Sequence, residues 1–122
     1  MRGRPVALES EARVSIATPR RYLGRLCKHF GHRILVSHDA DFGKGRIVFP
    51  PAGACALEAD DGGGLLTMRV TAGNETDLAR LEDVVGRHLQ RFAFREPVAV
   101  TWTRSARQAV SFESAWESRP SA

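Results

Sequence analysis

Two stretches of this chain carry apolar residues along one side of a helix only, and any fold must supply a surface that covers both. In the first, Tyr22, Leu23, Leu26, Cys27 and Phe30 share a face, Arg21, Arg25, Lys28 and His32 share the opposite one, and His29 sits at the boundary. Thr18 and Pro19 predict its start, a capping hydroxyl followed by a proline whose missing N–H costs nothing there, and Gly31 predicts its stop. Gly24 weakens this helix by about 1 kcal/mol relative to alanine, through close approach of another backbone or simple tolerance. In the second, Asn74 with Asp77 opens a helix that runs toward Phe94 with the stripe Leu78, Leu81, Val85, Leu89 and Phe92. Asp83 and Arg87, four apart, pair on its wet side.

The covering surface comes from alternation. Strands are expected at Ala12 to Ala17, Ile34 to His38, Arg46 to Phe49, Ala54 to Ala59, Leu65 to Thr71 and Val98 to Thr103, each greasy on one face. Asp- and Gly-rich loops, DADFGKG and DDGGG, turn the middle four into a meander. The order β-α-β-β-β-β-α-β predicts a single α+β domain, one antiparallel sheet with both helices on one face, and resembles a TATA-box-binding-protein repeat. The other sheet face presents Arg13, Ser15, Ser37, Arg46, Glu58, Thr67, Arg69 and Thr101, and is open to solvent, a ligand or a second copy in a homodimer. Residues 1–10 read as a flexible leader, 11–103 as the domain, and the Ser-, Ala- and Arg-rich residues 104–122 as a disordered tail whose Val110, Phe112 and Trp116 dock weakly at best.

Composition narrows the partners. No apolar run approaches the ~20 residues that cross a membrane, and the leader lacks the apolar centre of a signal peptide. With only two cysteines, the expected compartment is the reducing cytoplasm, without a Cys27 to Cys55 disulfide. Residues 1–33 hold eight bases against two acids, so the positive excess lies at the first helix. It favours an anionic partner or, more commonly, is a solvated face.

Taken together, TPRRYLGRLCKHFGH, GRIVFPPAGACALEADDGG and LARLEDVVGRHLQRFAFREPVAVTW resemble the bacterial domain-of-unknown-function family 2218 over Ala12 to Trp102. The resemblance implies a small stand-alone protein, or a domain related to those attached to siderophore-interacting flavoproteins. Iron handling, and such a flavoprotein or a small ligand as partner, follow from it as expectations. The doubled Pro50 and Pro51 depart from the single proline expected there.

Three sets of residues have chemistry to offer. Cys27, His29, Cys55 and His88 are the donors that suit zinc or iron, and His88 falls within the apolar stripe, pointing inward. Their spacing opposes a metal: there is no CxxC or HxxxH pair, and Cys27 and His29 diverge on a helix. Periodicity also buries Cys27, which disqualifies it as a nucleophile, so no catalytic set is assembled and an enzyme is not expected. Arg21, Arg25, Lys28 and His32 form an anion-binding ridge, with Arg20 and Arg33 beside it, that suits weak, salt-sensitive nucleic-acid binding. Sequence-specific or single-strand recognition would need aromatics on the open sheet face, where none is expected. Asp39, Asp41, Asp60 and Asp61 gather at one end of the meander, where a hard cation competes with ordinary turn chemistry and turn chemistry is preferred.

Overall fold

The computed structural model describes residues 6–108. Six strands and two helices follow in the order β1 (Val6–Ser15), α1 (Pro19–Gly31), β2 (Val36–Asp39), β3 (Lys44–Phe49), β4 (Gly53–Asp60), β5 (Leu65–Ala72), α2 (Glu75–Phe92) and β6 (Thr103–Gln108). The strands form one antiparallel sheet ordered β2-β3-β4-β5-β1-β6. Both helices lie on the same face, as the alternation and the two stripes require. The core is the layer between them: Ala12, Val14, Ile47, Cys55, Leu57, Leu66, Met68 and Val70 from the sheet meet Leu23, Leu26, Cys27, Leu78, Leu81, Val85 and Leu89 from the helices. Tyr22, Phe30 and Phe92, at the margins of the stripes, are only half-buried.

Three expectations change at the ends of the chain. The leader does not extend to residue 10, because Val6 to Ser15 forms β1, with Ser10, Ala12 and Val14 buried in turn. Residues 104–108 are not tail: Thr103 to Gln108 pairs with β1 from Glu11↔Thr103 to Val6↔Gln108. Val98 to Trp102, expected as the last strand, instead lies against α2, where Val100 Cγ1 and Trp102 Nε1 each come within 3.6 Å of where a Cβ on Gly86 would be. That contact explains the alternation of Val98, Val100 and Trp102 without a ladder. Val110, Phe112 and Trp116 lie outside the described residues.

The caps divide similarly. Asn74 Oδ1 accepts from the Asp77 N–H at 2.8 Å, the capping bond expected, and Asn74 Nδ2 donates to Asp77 Oδ2, a side-chain bond in place of the capping box's return to the cap backbone N–H. The Thr18 side chain makes no capping bond. Asp61, from the β4–β5 turn, takes that role by accepting from the Arg20 N–H at 2.9 Å, and Arg20 Nη1 reaches Ala40 O in the β2–β3 loop. The start of α1 is thereby tied to two hairpin loops. Gly24 needs no close approach, since a Cβ there would rest 3.7 Å from His38 Cε1, an ordinary contact. The Pro50–Pro51 peptide bond, in the turn between β3 and β4, is cis.

Candidate functional site

The four metal-ligand candidates separate into two places. Cys27, on the core side of α1, and Cys55, on the helix-facing side of β4, are both buried free thiols. Burial pushes the Cys27 thiol up to about 11 and, with the Cys27 charge as a smaller contribution, the Cys55 thiol up to about 12. At neutral pH neither supplies a thiolate, so both act as small apolar groups. Neither should react with Ellman's reagent at about pH 8 over hours, and both should react at once in denaturant. Rapid labelling of the native protein would show that the core opens.

The histidines are elsewhere, at the seam of the two helices. His29 is exposed on α1 and His88 half-buried on α2, displaced from the inward position expected toward the α1 side of the stripe. Their ring centroids are 4.8 Å apart. Phe30 stands 5.0 Å from His29 and 4.9 Å from His88, and Phe92 lies 5.6 Å from His29, so the two imidazoles are set among phenyl rings. Phe30 also meets Phe49 of β3 edge-on at 5.1 Å. His88 Nδ1 lies 2.7 Å from Val84 O, one helical turn back; with that nitrogen as the donor, Nε2 keeps its lone pair free. His29 is held below its ordinary pKa, first by desolvation and then by the charges of His88, His32, Arg91 and Arg33.

Two grooves open on either side of His29 and His32. One, about 400 Å³, is lined by Arg21, Arg25, Lys28 and Phe92, so the bases spaced along the first helix share one exposed surface. Arg25 lies over the Phe92 ring, with its guanidinium carbon 5.1 Å from the centroid. The other, about 470 Å³, is mostly apolar and lined by Phe30, Ile34, Phe49, Val84 and Arg33. Phe49, Val84 and Arg91 were not singled out as site residues in the sequence. Phe49 is far in it from Val84 and Arg91, which share α2, and only the packing of α1 across α2 and β3 brings them to one place.

At the opposite end of α1 three of the four candidate carboxylates are occupied as turn residues. Asp39 accepts from the Phe42 N–H, Asp60 from the Gly63 N–H and Asp61 from the Arg20 N–H. No three His, Cys, Asp or Glu side chains among the described residues are placed to hold a metal ion. The open sheet face carries an ion-pair network in which Arg69 reaches Glu9 at 3.1 Å and Glu11 at 3.5 Å, and Glu11 also holds Arg13 at 2.7 Å. Arg13 as hydrogen-bond donor lowers the Glu11 pKa, with Arg69 adding to it. Thr101, Thr103 and Ser105 line a concavity beside this network. Among the described residues, no helix is long and apolar enough to cross a membrane.

Comparison with known proteins places this geometry. Among solved structures, the NMR structure of PA4090 from Pseudomonas aeruginosa is 32% identical, with a TM-score of 0.61 over 80% of this chain and 94% of that one. No curated protein matches. The profile of a family described as an uncharacterized protein conserved in bacteria, DUF2218, matches residues 11–103, the span that holds both helices, the meander and the histidine seam. The chain therefore belongs to that bacterial family, as the three sequence stretches implied.

Proposed function

We propose that this is a non-enzymatic binding domain of the bacterial cytoplasm whose helix seam takes a small aromatic anion. The observation that carries the reading is the Arg25 guanidinium over Phe92, beside the His29, His88 and Phe30 rings, with an apolar groove on one side and a ridge of bases on the other. Planar rings stack on such a wall while the bases meet a carboxylate or phenolate. The link to iron and siderophore handling comes from the family resemblance. It fits this chemistry because salicylates and dihydroxybenzoates are aromatic anions. A nucleic-acid partner has the ridge in its favour but no stacking platform, since no described strand residue facing away from the helices is aromatic.

The test is an NMR titration of the protein with 2,3-dihydroxybenzoate, with acetate and benzamide as controls for charge without ring and ring without charge. Saturable shifts should appear at His29, Phe30 and Phe92 with 2,3-dihydroxybenzoate alone. Arg25→Glu should weaken binding about tenfold or more by reversing the charge at the groove. Equal responses to benzamide, or shifts confined to the open sheet face, would overturn the reading.

A further inference from the structure

We propose that His29 and His88 together chelate a divalent transition-metal ion that arrives with an anionic chelator, the two imidazoles filling neighbouring coordination positions. Two imidazoles bound to one ion at about 2.0–2.1 Å, with angles between a right angle and the tetrahedral one, place their ring centroids about 4.5–5.2 Å apart. The observed separation is 4.8 Å, with the ring planes inclined at 44°. The ring of His88 is already fixed as a metal ligand's commonly is, with Nδ1 tied to a backbone carbonyl and Nε2 left as the donor. His29 is exposed, so its imidazole is open to an ion that arrives from solvent.

The surroundings specify what accompanies the ion. Arg25, Lys28, Arg33 and Arg91 crowd the seam with positive charge, which repels a bare aqua dication. No third protein ligand converges there among the described residues. An ion whose other positions are filled by carboxylates or phenolates answers both conditions, because the complex is neutral or anionic and needs only two more donors. The site shares its groove with the aromatic-anion reading but uses nitrogen donors rather than ring stacking. A chelator without an aromatic ring therefore tests it alone, and either reading can fail without the other.

The probe is Ni(II)–nitrilotriacetate, an anion with two adjacent open positions. Untagged protein should be retained on this chelate at about pH 7.5 and released by millimolar imidazole. His29→Ala, at an exposed position, should keep the parent melting temperature and pass unretained, while His32→Ala should still bind. Bound to Cu(II)–oxalate, whose chelator carries no nitrogen, the protein should show two nitrogen ligands in its EPR superhyperfine pattern, and His29→Ala only one. Passage of the parent protein through the column, retention of His29→Ala equal to the parent's, or a single nitrogen in the parent's spectrum would overturn the proposal.

Discussion

Gly53→Ala is expected to destabilise the protein by about 3 kcal/mol, the upper end of the range for overpacked sites. Gly53 opens β4 with partners on both sides, Phe49 of β3 and Ala72 of β5. A Cβ there would overlap Thr71 O and stand 3.0 Å from Leu81 Cδ1. The first of these atoms is backbone of the neighbouring strand and cannot swing away, so the β4–β5 ladder has to part. Gly45→Ala is the informative comparison. Its Cβ would meet Cys27 Sγ at 2.7 Å and Leu23 Cδ2 at 3.3 Å, both ends of side chains that yield by a rotamer change. The urea midpoint should fall at both positions and by clearly more at Gly53. An unchanged midpoint for Gly53→Ala would mean that β4 and β5 are not paired in this register.

A chain ending at Thr103 should be far less stable than one ending at Gln108, by about 3 kcal/mol, or roughly 12 to 24 °C in Tm for a domain of this size. The shorter chain loses the ladder from Arg104 to Gln108 along β1, and β1 becomes a sheet edge. It also loses Arg104, whose Nη2 and Nε lie 2.8 and 2.9 Å from the two oxygens of Glu82. The side chain of Glu82 is 12% exposed, so the truncation leaves a largely desolvated carboxylate without its cation. Arg104 as donor lowers the Glu82 pKa from 4.5. The contribution of this pair is therefore complete above pH 4.5 and fades as pH falls through the lowered value. The stability gap between the two chains should accordingly narrow in acid. Equal melting temperatures at pH 7 would show that β6 adds nothing.

The architecture was legible because the central strands β4 and β5 alternate and each helix has a single stripe. The ends were not, for local reasons. In β1 the inward run passes through Ser10, a small polar residue, between the exposed-type Glu9 and Glu11, so Leu8, Ser10, Ala12 and Val14 do not read as one greasy face. In β6 the sequence TRSARQ carries no apolar alternation at all, and what holds it is backbone pairing and the Arg104–Glu82 bridge, neither of which leaves a period. Thr18 satisfied every local rule for a cap, yet Asp61, 43 residues on, occupies the site because the hairpin loop is packed there.

The histidine seam shows the same division. The basic ridge follows from helical spacing within one element, and its bases share one exposed surface. The pairing of His29 with His88 depends on how α1 crosses α2, which two amphipathic stripes do not determine. The cysteines and histidines share a donor chemistry that invites grouping them, but the core keeps the thiols protonated and apart from the seam.

The register that sets Val6 opposite Gln108 has a kinetic consequence. Strands β2 to β5 close through short hairpins, so this meander can zip from local contacts. β1 has to find β5 across more than fifty residues and β6 across about a hundred, and the entropy of closing those long loops has to be met before either ladder forms. Assembly should therefore proceed outward from the meander, with β1 and β6 joining after it. Until β1 arrives, β5 exposes an apolar-faced edge, and this interval is when the chain is most open to pairing with a neighbour.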